Sequence, residues 1–159
     1  MLNSIRLYLI GLILLFMPVI AAGQNSELKE EVDLSIAESV FRFQIKQCAA
    51  EMTLRVFLLS LNGGDPSDDF MKRFVDDSVR IRKRSVLAQS KETHEFLDKT
   101  SEEFAALLSI DKLKILDEGS AEVDGSCGYA DWAARGYRYS LIREGNRWIV
   151  KRADSTWFL

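Results

Sequence analysis

Residues 137–158 read YRYSLIREGNRWIVKRADSTWF, and the expectations for the rest of the chain rest on this stretch. Gly145-Asn146 suits a two-residue turn, because Gly accepts positive φ freely and Asn tolerates it. Such a turn fixes the register on either side. Glu144 then faces Arg147, Arg143 faces Trp148, Ile142 faces Ile149, Leu141 faces Val150 and Tyr139 faces Arg152. Side chains alternate across a strand. Tyr137, Tyr139, Leu141, Trp148 and Val150 therefore gather on one face, and Arg138, Ser140, Lys151 and the Ile142/Ile149 pair on the other. The aromatic face is expected to turn inward. An isolated hairpin is marginal in water, so this one needs further strands and a cover.

The strands are found immediately upstream. Leu113 and Ile115 alternate within residues 112–117, and Glu118-Gly119 makes a turn. Ala121, Val123, Cys127 and Tyr129 share one face of the next strand, with Ser120, Glu122, Asp124 and Ser126 on the other. Gly125 and Gly128 interrupt it, as glycines do where a sheet bulges or bends. Ala133 to Gly136 leads into the terminal hairpin, which gives four consecutive antiparallel strands.

Helical spacing dominates the first half. Ser35 and Glu38 have the form of a capping box. Phe41, Ile45, Cys48, Met52, Val56 and Leu59 then recur at steps of three and four. That stripe predicts one helix of roughly twenty-five residues, stopped by Asn62-Gly63-Gly64. Asp65 and Pro66 are read as N-cap and first residue of a short helix carrying Phe70, Met71, Phe74 and Val75, closed by Asp76-Asp77. Residues 78–84 alternate Val79 and Ile81 against Arg80, Arg82 and Arg84, which predicts an edge strand with a solvated basic face. Residues 87–110 return to helical spacing, with Thr100 and Glu103 as a second capping box and a firm helix over 101–109. The fold class expected is α+β, a curved, mostly antiparallel sheet with N-terminal helices on its concave face.

The N-terminus has the layout of a secretory signal peptide: a basic start at Asn3–Arg6, an apolar run over 7–20 and small residues at Ala21-Ala22-Gly23. The run is short for a membrane span, which takes about twenty residues. Residues 1–23 are expected to be a signal segment, with cleavage after Gly23 or retention as an anchor. Residues 24–34 then form a flexible lead-in and 35–159 a single domain. The formal net charge is −3, which offers nothing to nucleic acid. Cys48 and Cys127 are the two cysteines. In an oxidising compartment one pairing between them is possible; the alternative is two buried thiols acting as small apolar side chains. With no C-x-x-C and one His, no metal or cofactor site is expected.

Three segments resemble the nuclear transport factor 2-like superfamily, also called the cystatin-like cone, as an exported bacterial member. They are FLLSLNGGDPSDDFMKRFVDDSV at 57–79, the helix expected at 101–109, and YRYSLIREGNRWIVKRAD at 137–154. The resemblance implies a small cone with a pocket between helices and sheet. Some members of that superfamily do acid–base chemistry in the pocket and many others only bind or dimerise, so the fold leaves activity open. Tyr129, Tyr137, Tyr139 and Trp148 on the inward face, with Asp131 at a strand end, are the candidate pocket residues; Asp154 is a second carboxylate near a strand end. No position matches a catalytic motif, and no catalytic residue is assigned. His94, in the charged stretch KETHEFLDK, reads as a surface side chain. The expected function is an exported, non-catalytic module that binds a small apolar ligand or homodimerises through the open sheet face. It touches a membrane only through the signal segment. The alternative is a small isomerase or dehydratase using a pocket carboxylate and Tyr.

Overall fold

A computed structural model describes residues 19–52, 54–75 and 78–159. The basic start at 3–6, residues 7–18 of the apolar run at 7–20 and the Asp76-Asp77 helix stop lie outside the described residues. Residues 33–159 form one compact unit. The fold is α+β: the part of helix α1 (Val19–Met52) from Asp33 on lies against a six-stranded mixed sheet that is mostly antiparallel.

The sheet runs in the order β2-β1-β5-β6-β7-β8. Strands β5 (Ala105–Asp117), β6 (Ser120–Ala130), β7 (Ala133–Glu144) and β8 (Arg147–Phe158) follow one another as antiparallel neighbours. Strands β1 (Val56–Leu61) and β2 (Arg80–Lys83) complete one side, with β1 parallel to both β2 and β5. A separate two-stranded ribbon pairs β3 (Leu87–Gln89) with β4 (Phe96–Asp98).

The terminal hairpin forms as the sequence implies. Glu144–Arg147, Arg143–Trp148, Ile142–Ile149 and Leu141–Val150 are register partners, and Gly145 takes φ of 60°. The register then slips, so Ser140 faces Arg152 and Tyr139 faces Ala153 rather than Arg152. Lys151 is the extra residue of that bulge. Tyr137, Tyr139, Leu141 and Trp148 are buried, and Ile142 is exposed on the opposite face.

The long helix is shorter at its C-terminal end than its apolar stripe suggests. It ends at Met52, and Val56–Leu61 is strand β1, not the helix's last turns. Five residues in a row, Val56 to Ser60, are buried. A strand covered on both faces carries a continuous apolar run, which periodicity alone does not distinguish from helix. Asn62 and Gly63 (φ 52° and 77°) make a tight turn, closed by hydrogen bonds between Leu61 and Gly64 at 3.0 and 3.1 Å. Asn-Gly with two positive φ values is a strand-turn signature, so no helix cap is present there. Ser35 and Glu38 lie inside α1, and Glu38 pairs with Arg42 and Arg73 instead of closing a capping box.

Helix α2 (Asp68–Met71) is capped by Ser67, whose hydroxyl accepts from the Phe70 amide at 3.2 Å. Asp65, read as the cap, accepts from the Ser85 amide at 2.8 Å. A 3-10 turn (Lys72–Phe74) continues α2 and brings Phe70 and Phe74 against Phe41 of α1 at ring distances of 6.0 and 6.5 Å. The helix expected at 101–109 is absent: residues 105–109 open β5, paired to β1 and β6. Their helix-favouring Ala and Leu give way to burial between two strands, since context overrides propensity.

Several contacts fix α1 over the sheet. Phe43 meets Tyr139 edge-on at 5.9 Å. Ser39 donates to the Trp148 carbonyl at 2.9 Å. Gln44, buried, places Nε2 near the carbonyls of Ser109 and Ser126 (3.2 and 3.3 Å) and the Tyr139 hydroxyl (3.1 Å). Gly125 makes room for this: a Cβ there would collide with the Ser109 carbonyl and stand 3.3 Å from Gln44 Nε2. Cys48 of α1 and Cys127 of β6 are joined as a disulfide. Such a bond is consistent with an oxidising compartment. Among the described residues no helix is long and apolar enough to cross a membrane.

Candidate functional site

The residues singled out on the inward face fall in three places. Tyr139 has no exposed surface and lies beneath α1. Burial pushes its phenol well above the ordinary value, against the opposing pull of the Gln44 hydrogen bond. It acts as a fixed acceptor for Gln44, out of reach of any ligand. Tyr137 packs on it at 5.7 Å, with its hydroxyl 3.4 Å from Arg135 Nη1. Trp148 borders a polar groove of about 540 Å³ between α1 and the β7–β8 turn, where Glu38, Arg42 and Arg147 supply the charge. Asp154 pairs with Arg152 at 2.7 Å. These four do not converge with Tyr129 or Asp131.

Tyr129 and Asp131 meet at the β6–β7 end of the sheet. Register passes from Gly128–Ala134 directly to Ala130–Ala133, so Tyr129 is a bulge residue without a partner. Bulges re-aim side chains, and Tyr129 lines a cavity of about 280 Å³ with Leu54, Glu95, Phe96, Phe104 and Ala105. The cavity lies on the far side of the sheet from the disulfide. Leu59, Leu108 and Cys127 share one face by register, and Leu58, Leu107 and Gly128 the other. Ala105 alternates with Leu107 onto the second face, where Val56 and Leu58 also pack.

The β3–β4 ribbon forms the outer wall. Its loop is held locally by the Ser90 hydroxyl, which accepts from the amides of Glu92 and Thr93 at 3.3 and 3.2 Å. His94 adopts φ of 60° and its carbonyl accepts from Gln89 Nε2 at 3.0 Å. Three contacts tie this loop to the sheet. Glu95 bridges Ala130, Trp132 Nε1 donates to the Thr93 carbonyl at 3.2 Å, and His94 Nδ1 lies 3.3 Å from Asp131 Oδ2. Trp132 packs edge-on against Tyr129 at 5.9 Å. His94 is exposed, as the sequence suggests, and it faces one of the candidate carboxylates.

Below the cavity the ribbon is anchored by Asp98, which has no exposed surface. Its Oδ1 accepts from the Thr100 amide at 2.8 Å, and Arg82 Nε stands 3.8 Å from Oδ2. Burial, the largest influence, works to raise its pKa. Hydrogen bonds from Thr100 and Ser101 and the Arg82 charge together outweigh it and hold the carboxyl below the usual range. The other basic side chains around β2 are also occupied within the chain: Arg80 by Glu103, Lys83 by Asp68 at 2.7 Å and Arg84 by the Gly63 carbonyl. This edge behaves as a solvated, internally neutralised strand.

Five residues of the cavity wall, Leu54, Glu95, Phe96, Phe104 and Ala105, carried no site signal in the sequence, because the segments containing them have helical spacing. Among the described residues no group of three or more His, Cys, Asp or Glu side chains is placed to hold a metal ion. Together these features define an α+β domain with a long helix on one sheet face and a small, open apolar cavity, walled by a two-stranded ribbon, on the other. No protein-family model matches the chain, and neither a curated protein nor a solved structure matches it.

Proposed function

We propose that the chain is an exported, non-catalytic binding module that takes a small apolar ligand in the cavity between the β3–β4 ribbon and the sheet. The observation that carries this reading is the wall itself: Leu54, Phe96, Phe104, Ala105 and Tyr129 around about 280 Å³, near the lower end of the roughly 300–1,000 Å³ typical of ligand pockets. Export is supported by the apolar run and small residues of 7–23 and by the Cys48–Cys127 bond. Membership of the nuclear transport factor 2-like superfamily is supported by the terminal hairpin and the helix laid against it. Residues 57–61 and 105–109, where the resemblance needed helix, are strands, so it bears on architecture more than on a shared pocket.

An isomerase or dehydratase needs a base and an oxyanion donor converging on one substrate. Tyr137, Tyr139 and Asp154 are elsewhere, which leaves Glu95 and Tyr129 as the polar side chains on the cavity wall. Titration calorimetry with toluene and indole tests the binding reading. Both are expected to bind the native chain, and Phe104→Ala, a change at an exposed position, should weaken them about tenfold without altering the far-ultraviolet spectrum. Failure of either probe to bind at millimolar concentration would sink the proposal.

A further inference from the structure

The cavity wall carries an unbalanced charge. Of the six residues lining it, Glu95 is the charged one, and no basic side chain is among them. The backbone of Glu95 is fixed: its carbonyl accepts from the Ser90 amide at 2.9 Å, its amide reaches the Thr93 hydroxyl at 3.5 Å, and it bridges Ala130. Its carboxylate has no hydrogen-bond or ion-pair partner among the described residues; Asp98, Glu103 and Asp131 nearby each face a basic side chain, and Glu92 and Glu102, also without an ion pair, are exposed to solvent rather than set on the cavity wall. Glu95 is half-buried, and a carboxylate that no side chain among the described residues occupies is free to attract a cation held against the neighbouring apolar wall.

The other side chains point to what balances it. Phe96, Phe104 and Tyr129 line the same space, and an aromatic face attracts a cation through its quadrupole, most strongly where water is excluded. Resting on the binding reading above, the geometry points to a small organic cation as the ligand class: an amine or ammonium whose hydrocarbon body fills the apolar wall and whose charged head meets Glu95 and the rings. An anion would be repelled by Glu95, and a neutral ligand would gain nothing from its charge. A metal ion finds one carboxylate and a single phenol on this wall, too few oxygens for a hard cation.

Benzylamine, benzyl alcohol and benzoate share one ring and a similar size but differ in charge at neutral pH. Binding of each to the full chain is measured by calorimetry. Benzylamine is expected to bind at least tenfold more tightly than benzyl alcohol, with benzoate weakest, and the gap should narrow as potassium chloride is raised. Glu95→Gln should abolish the preference, bringing benzylamine down to the affinity that benzyl alcohol shows for the same variant. Equal binding of amine and alcohol to the native chain overturns the cation assignment and leaves the apolar pocket standing. An amine preference that survives Glu95→Gln also overturns it. No binding by any of the three removes the pocket reading itself.

Discussion

The two halves of the sheet are buried in different ways. Where β1 runs parallel between β2 and β5, both faces are covered: Phe57 and Leu59 share the face of Leu108 and Cys127, and Val56 and Leu58 pack with Ala105, Val86 and Leu87. Where β6, β7 and β8 run antiparallel, one face lies under α1 and the other is wet. Rows across the wet face alternate in charge, as in Lys112, Asp124, Arg138 and Asp154. Arg138 holds Asp124 through two bonds of 2.8 and 3.2 Å. The first half draws stability from every residue, the second from every other one. The cavity belongs to the first half, where the covering layer is thin enough to leave a gap.

The largest effect should therefore appear in β1, at neighbouring positions. Phe57 and Leu58 both have no exposed surface, yet they point to opposite faces. Phe57→Ala should cost about 3–5 kcal/mol and Leu58→Ala about 2–5 kcal/mol, read by urea denaturation of the folded chain. If either change is nearly neutral, one face of β1 is not covered and the contrast between the halves fails.

A smaller effect is expected at Asp98, which ties the thin layer to the edge strand. Its folded pKa is lowered, so its contribution is complete above the unfolded carboxylate value of about 3.9 and is lost as pH falls through the folded one. Asp98→Asn should cost about 1–3 kcal/mol at pH 7. The gap between native and variant should close between about pH 4 and the lower folded value. Unfolding at pH 7, 4 and 2 checks this. A gap that stays constant to pH 2 would show that the carboxylate is not held ionised by Thr100, Ser101 and Arg82.

The same contrast explains which parts of the molecule could be read from the sequence. Leu141 and Val150 alternate with polar neighbours, so their pairing and inward face are legible in the letters alone; the slip at Lys151 is not, because a bulge there leaves no glycine to mark it. VFLLSL at 56–61 fits a buried helix and a two-sided strand equally well, and Asn62-Gly63 after it fits a cap or a turn. What decides is a pairing with residues 105–110, some fifty positions away, which no local pattern carries. That one ambiguity concealed the cavity, since Leu54, Phe104 and Ala105 belong to segments with helical spacing. Tyr129 and Asp131 were visible as chemistry; their separation from Tyr137 and Tyr139 is a consequence of the bulge at Gly128–Ala130. Cys48 and Cys127 were legible as a pair that helix and strand could bring together, and the disulfide joins them.

The smallest effect tests the wet face by the same neighbouring-residue logic. Leu141 is 1 % exposed and Ile142 38 %. Leu141→Ala should cost about 2–5 kcal/mol, while Ile142→Ala should stay within about 1 kcal/mol. A homodimer through this face would reverse the second expectation, because Ile142 and Ile149 would then be buried by a second copy and their loss would weaken assembly. It would also make native stability rise with protein concentration. The charged rows beside the pair favour solvent, since rows such as Lys112–Asp124–Arg138 already satisfy one another and would have to be stripped of water to dock. Native stability that is independent of concentration, together with a nearly silent Ile142→Ala, favours the cavity as the proposed binding surface. Concentration-dependent stability moves the sheet face ahead of it.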